Sequence, residues 1–286
     1  FKFKSLRPLI AVICILALVP YCLIQFVGVG KVLEISSGGA FPYWSGVVVI
    51  AIVTAFYSMF GGVRAIIWTD GLQGIVFLSV IVIGTWVSLT HSGGFIDGYE
   101  KSIALNPDAF RILPKDAGGI ISISFVWMFA FVCLPHIWQR NYMAKSGQDF
   151  SKGLLTFSLL AFGLVISTML MGTLGIPLVE GVQDSDNFVP LLFEKFVPWA
   201  VPIIVLATFA AGMSTIDSQL LSASSVLVRD ILKPIYGDKL TPKKEERWGQ
   251  IFVGSLIGSL MLLALLPEAQ GSIISVSYTH LRAHET

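Results

Sequence analysis

Seven uncharged, mostly apolar runs, at residues 8–30, 44–60, 71–89, 118–138, 154–176, 198–228 and 248–266, decide what this chain can fold into, and Asp217 alone interrupts them. Most approach the ~20 residues a helix needs to cross a bilayer's hydrocarbon. Lipid offers backbone groups no hydrogen bonds, so only helices and closed barrels span it. The ~10-residue alternation of barrel strands is absent. The chain therefore reads as an all-α polytopic membrane protein with about seven transmembrane helices. Composition agrees: 55% of residues are hydrophobic, 13% are charged, and the mean hydropathy is +0.79, outside the range of soluble domains.

The few charges are unevenly placed. If the runs alternate across the membrane, one set of loops holds thirteen of the 19 Lys and Arg residues, among them Lys2, Lys4, Arg7, Arg229, Lys233 and Arg247; the other set holds five. The basic side faces the cytoplasm, which puts the amino end and the 229–247 loop there, in a multi-pass protein of the cell membrane. A net charge of +1 says nothing about nucleic acid and no basic patch suggests it, so no nucleic-acid partner is expected. Cys14, Cys22 and Cys133 all fall inside apolar runs, as small packing residues rather than a disulfide framework or metal knuckle. Soluble catalytic and nucleotide motifs such as GxxxxGK, GxGxxG, HExxH and GxSxG are missing, and no paired catalytic groups face one another, so the chain reads as no enzyme. Gly254 and Gly258 form a small-xxx-small pair that suggests close helix packing.

The chain opens on FKFKSLRPLI without an initiator Met, which reads as an internal piece of a longer protein. Residues 1–275 form the transmembrane core. The polar stretch 276–286, with His280 and His284, reads as foreign to it.

The stretch AAGMSTIDSQLLSASS lies in the run 198–228. At ~100° per residue, Ala211, Ser214, Thr215, Ser218, Ser222 and Ser225 share an arc of roughly 100°. Hydroxyls in a membrane helix commonly bond back to carbonyls one turn earlier, and that is one account of the stripe. The other is a cation site: the Ala211 carbonyl with the Ser214 and Thr215 hydroxyls makes three neutral oxygens able to replace water around a small hard ion. The run's 31 residues span ~46 Å and centre on Met213, so the oxygens sit near the bilayer midplane. Spacing leaves both accounts open. Asp217 lies roughly 110° from the stripe's centre.

Three segments, AAGMSTIDSQLLSASS, YSMFGGVRAIIWTDGLQG and LPHIWQRNYMAKS, occur in the order and spacing found in the sodium:solute symporter family, and the chain resembles its proline-type branch over residues 8–267. The resemblance implies part of a five-plus-five inverted repeat of the leucine-transporter type, here repeat helices three to nine. It also implies sodium held by Ala211, Ser214 and Thr215, with the remaining oxygens on a first repeat helix that this chain lacks and needs as a partner. Asp70, in WTDGLQ, becomes a second sodium contact or part of the intracellular exit path, although by residue type alone it reads as a helix cap. Asp217 belongs to the same exit path, in a wet vestibule or paired with a neighbouring helix. Trp127, Phe131 and Pro135, four residues apart, line the solute pocket, with Pro135 inviting a helix break; Phe131 replaces a Tyr of the proline-type branch. His136 reads as a satisfied interfacial residue or a proton carrier.

The resulting expectation is sodium-coupled symport of a small organic solute, an amino acid or carboxylate in preference to a sugar, by alternating access. Two other readings stand beside it: a transporter-like membrane sensor, and a proton-coupled carrier using His136 and Asp217.

Overall fold

The computed structural model describes residues 6–60, 62–105, 107, 118–119, 121–122, 124–125, 128, 134–179, 182 and 185–270. Its main helices are α1 (Leu6–Ser36), α2 (Tyr43–Phe60), α3 (Gly62–His91), α4 (Phe95–Leu105), α5 (Pro135–Asn141), α6 (Gly147–Gly175), α7 (Phe188–Phe196), α8 (Val201–Val226) and α9 (Pro242–Ala264). Among the described residues five helical segments are long and apolar enough to cross a membrane: Leu6–Ser36, Ile66–His91, Gly147–Leu178, Pro198–Lys239 and Pro242–Ala264; Tyr43–Met59 is a shorter apolar helix. The remaining expected run, 118–138, is described only in part.

Helix ends differ from the apolar runs in a consistent way. α6 begins seven residues before its run, at Gly147, because Ser146 caps it: the Ser146 hydroxyl accepts the Asp149 amide at 3.1 Å and donates to the Asp149 carboxylate at 2.7 Å. Helical backbone continues past hydrocarbon wherever a cap satisfies the first amides, so polarity marks the lipid boundary and not the helix end. At α3 too the helix begins before the apolar run. Asp70 is no helix cap, because α3 starts at Gly62 and places Asp70 two turns inside it.

The chain forms two compact units, residues 1–76 with 202–286 and residues 77–201. In the first, α1, α2, α8 and α9 bury a core that includes Phe26, Val47, Ile50, Ile216, Leu220 and Leu260. α1 and α2 approach closely because two glycines meet: a Cβ on Gly46 would lie 2.9 Å from Gly30 Cα, and one on Gly30 would lie 2.6 Å from the Tyr43 ring. This is the small-residue contact expected at Gly254 and Gly258, found elsewhere. A Cβ on Gly254 would meet only the flexible Met59 side chain at 3.5 Å, and Gly258 has nothing within 4 Å. The Tyr43 hydroxyl donates to the Ala264 carbonyl at 2.8 Å and ties the start of α2 to the end of α9.

The end of α8 runs into a π-helical stretch, Leu227–Leu232. Pro234, four residues after Asp230, has no amide for that carbonyl and its ring crowds it, so the backbone widens just before the proline. Arg7 at the start of α1 holds the widened turn: its Nε donates to Asp230 Oδ1 at 2.7 Å and its Nη2 to the Arg229 carbonyl at 2.9 Å.

The second unit is held by hydroxyls bonded to carbonyls of the facing helix. Thr85 Oγ1 donates to Ser167 O at 2.9 Å, Ser88 Oγ donates to Met171 O at 3.1 Å, and Ser102 Oγ donates to Thr173 O. Where neither helix gains by apolar contact against apolar lipid, such bonds and close packing replace the hydrophobic drive.

Candidate functional site

Ala211, Ser214 and Thr215 sit in the middle of α8, all half-buried. Both hydroxyls converge on one carbonyl: Ser214 Oγ and Thr215 Oγ1 each donate to Ala211 O at 3.0 Å. The spacings of three and four residues fold both side chains over the same turn. Each hydroxyl spends its single proton on the carbonyl and keeps its lone pairs facing away from the helix. The trio is thus self-satisfied without an ion. A cation would draw on those lone pairs, and turning the two protons aside would release the carbonyl as a third donor. Gly212, next to Ala211, lies close against α1 and α2: a Cβ there would meet Ile50 and Val29 at 3.2 Å. Ser218 Oγ repeats the pattern onto Ser214 O at 3.1 Å.

Asp217 faces another way. It is fully buried, at 0% exposure, and accepts the Ser58 hydroxyl of α2 on Oδ1 at 2.6 Å. Its Oδ2 is enclosed without a hydrogen-bond partner. Asp217 and Ser58 line a cavity of ≈ 350 Å³ bounded also by Leu221, Ser225, Arg229, Glu245, Glu246 and Gln250. The acid thus bonds to a neighbouring helix and borders this cavity. Two residues along, Gln219 is equally buried and accepts the Cys22 thiol on Oε1 at 2.5 Å. Cys22 is therefore a hydrogen-bond donor between α1 and α8 as well as a packing residue. No periodicity in α1 or α2 marked Ser58 or Cys22 as partners of α8, because a lone hydroxyl or thiol in an apolar run has no pattern.

Of the remaining site residues, Asp70 is half-buried within α3. Leu134 is extended (φ −71°, ψ 120°) and Pro135 opens α5, where a missing amide costs nothing. Trp127 and Phe131, like Cys133, His280 and His284, lie outside the described residues. His136 is half-buried and lines a cavity of ≈ 750 Å³ between α5 and the start of α6, with Trp138, Arg140, Phe150 and Phe157 among its walls. Among the described residues no group of three His, Cys, Asp or Glu side chains is placed to hold a metal ion.

Comparison with known proteins places this geometry. The model of the sodium:solute symporter family matches residues 1–281. The sodium/pantothenate symporter of Haemophilus influenzae is 28% identical over 276 residues, 93% of this chain and 56% of the relative. The high-affinity proline transporter PutP of Bacillus subtilis is 31% identical over 245 residues, 82% of this chain and 51% of the relative. The chain thus spans about half the length of the curated relatives it matches. A solved Na⁺-coupled sialic acid symporter, in a substrate-bound outward-open state, shares the fold with a TM-score of 0.77 at 20% identity, over 91% of this chain and 58% of that one.

Proposed function

The chain belongs to the sodium:solute symporter family, a family of membrane transporters and not of enzymes, and from that premise we propose that its full-length protein carries a small organic solute across the cell membrane together with sodium. Proline and pantothenate are the first candidates, as the names of its relatives suggest; both are carboxylates, in line with the preference for an amino acid or carboxylate. The five-plus-five inverted repeat, of which this chain carries helices three to nine, supplies alternating access about the midplane.

The observation that carries the reading is the convergence of Ser214 and Thr215 on the Ala211 carbonyl. Three uncharged oxygens within one turn suit a small monovalent ion, because neutral donors replace water without trapping the ion as a carboxylate cage would. Sodium is cargo here, and further oxygens come from helices of the full-length chain. Sodium and solute couple only if both favour the same conformation, so that each lowers the ordering cost met by the other. Asp70 and Asp217 lie on the sodium exit path, and Trp127, Phe131 and Pro135 line the solute pocket. The excess of Lys and Arg around 229–247 and at the start of the chain puts both of those regions in the cytoplasm.

The test is uptake of labelled proline and pantothenate into proteoliposomes carrying the full-length protein, with an inward sodium gradient or an equal choline gradient. Sodium should accelerate uptake of one solute, and Ser214→Ala with Thr215→Val should raise the sodium concentration for half-maximal uptake about tenfold or more. Uptake indifferent to sodium, or to the double substitution, would overturn the assignment.

A further inference from the structure

The cavity beside Asp217 differs in kind from the sodium trio. Its ≈ 350 Å³ equals about twelve water volumes at ~30 Å³ each, far more than a dehydrated monovalent metal ion fills. Its lining has two polar ends and apolar walls. At the floor is the Asp217 carboxylate, at 0% exposure, with one oxygen taken by Ser58 and the other enclosed and unpartnered. Met59, Leu220, Leu221 and Val253 give the walls their apolar surface. Glu245, Glu246 and Arg229 stand at the other end. Lys233 takes Glu245 at 3.1 Å, while Glu246 is exposed and marks the way in. With Lys233 counted, three acidic side chains face two cationic ones, so the cavity has one more acid than base.

A buried carboxylate oxygen without a partner is costly, and the remedy is a donor that brings both a hydrogen bond and a positive charge. Ser58 Oγ, which already donates to Asp217, retains lone pairs and accepts a second N–H. A hydrated metal ion would meet the charge and leave the apolar walls wet. A primary ammonium on a short hydrocarbon stem meets both, with its head on the floor and its stem along the walls.

We propose that this cavity binds a small aliphatic ammonium ion, with its N–H groups on Asp217 Oδ2 and Ser58 Oγ and its stem against Leu220, Leu221 and Val253. A diammonium places its second head beside Glu246. The site goes beyond the sodium reading and does not depend on it. If the exit path runs through the same cavity, such an amine also competes with sodium leaving on that side.

The experiment is calorimetric titration of the full-length protein in lipid nanodiscs, in sodium-free potassium phosphate. The probes are butylammonium and 1,4-diammoniobutane, with butan-1-ol and choline as controls that lack the charge or the N–H donors. Both amines should bind saturably and neither control should. Asp217→Asn, which keeps the Ser58 bond, should weaken both amines about thirtyfold or more. Leu221→Phe should remove binding by filling the space. Glu246→Gln, at an exposed position that does not threaten folding, should weaken the diammonium and leave butylammonium unchanged. Absence of saturable amine binding at millimolar concentrations, equal binding by butan-1-ol, or indifference to Asp217→Asn and Leu221→Phe would overturn the site. The sodium reading fails separately, by sodium-independent uptake with amine binding intact.

Discussion

Replacing Ser58 by alanine removes the hydrogen bond that the structure gives the Asp217 carboxylate, at 2.6 Å on Oδ1, and leaves a fully buried acid with both oxygens unpartnered. Hydrogen bonds between membrane helices average about 0.6 kcal/mol and reach about 1.7 kcal/mol, because the reference state in lipid also finds partners. Bonds to charged groups run higher, at about 1.5–3 kcal/mol. Asp217 is fully buried and has no alternative donor at Oδ2, so the upper part of the membrane range applies, and the Ser58–Asp217 coupling should be about 1–2 kcal/mol. The assay is a double-mutant cycle with Ser58→Ala, Asp217→Ala and the pair, read by reversible unfolding of the full-length protein in mixed micelles. Asp217→Asn alone should be milder than Ser58→Ala alone, since an amide oxygen still accepts the Ser58 hydroxyl and no charge is then left without a donor. Independent effects, with a coupling below about 0.3 kcal/mol, would refute the reasoning, because sites without a shared contact add within that margin.

Gly46→Ala should destabilise by about 1–3 kcal/mol, since its Cβ would meet the Gly30 backbone at 2.9 Å and no flexible side chain can yield; Gly258→Ala should be silent in the same melting experiment. Tyr43→Phe deletes the bond to the Ala264 carbonyl and should cost about 1 kcal/mol, lowering Tm by a few degrees. Arg7→Gln breaks a pair whose side chains are 46% and 34% exposed, so the loss should stay within about 1 kcal/mol. Hydrogen exchange at 227–232 should nevertheless rise in that variant, because Arg7 also holds the Arg229 carbonyl of the widened turn.

Much of the candidate site could be read from the chain alone because helical geometry is local. Residues three and four apart must share a face, so Ala211, Ser214 and Thr215 converge whatever surrounds α8. The direction of Asp217 away from that stripe followed from the same rotation, and Ser58 of α2 occupies the face it turns to. The cap that residue type alone suggests for Asp70 is not what the helix uses, because Thr69 and Arg64 end the apolar run but not the helix, which begins at Gly62. The Gly254 and Gly258 pair was given a contact that belongs to Gly30 and Gly46, two glycines on different helices that no spacing rule connects.

The sequence by itself determined that the chain crosses a membrane as helices, since a bilayer leaves an apolar run of this length no other way to satisfy its amides. It determined the composition of the oxygen trio for the same reason, as every bond involved lies within one turn. Only the tertiary structure decided that Asp217 meets Ser58, that Cys22 meets Gln219 and that Gly30 meets Gly46. Apolar faces in lipid do not select their partners by hydrophobicity. Which helices touch, and which cavity remains between them, is fixed by close packing and a few long-range hydrogen bonds whose two ends lie up to about two hundred residues apart.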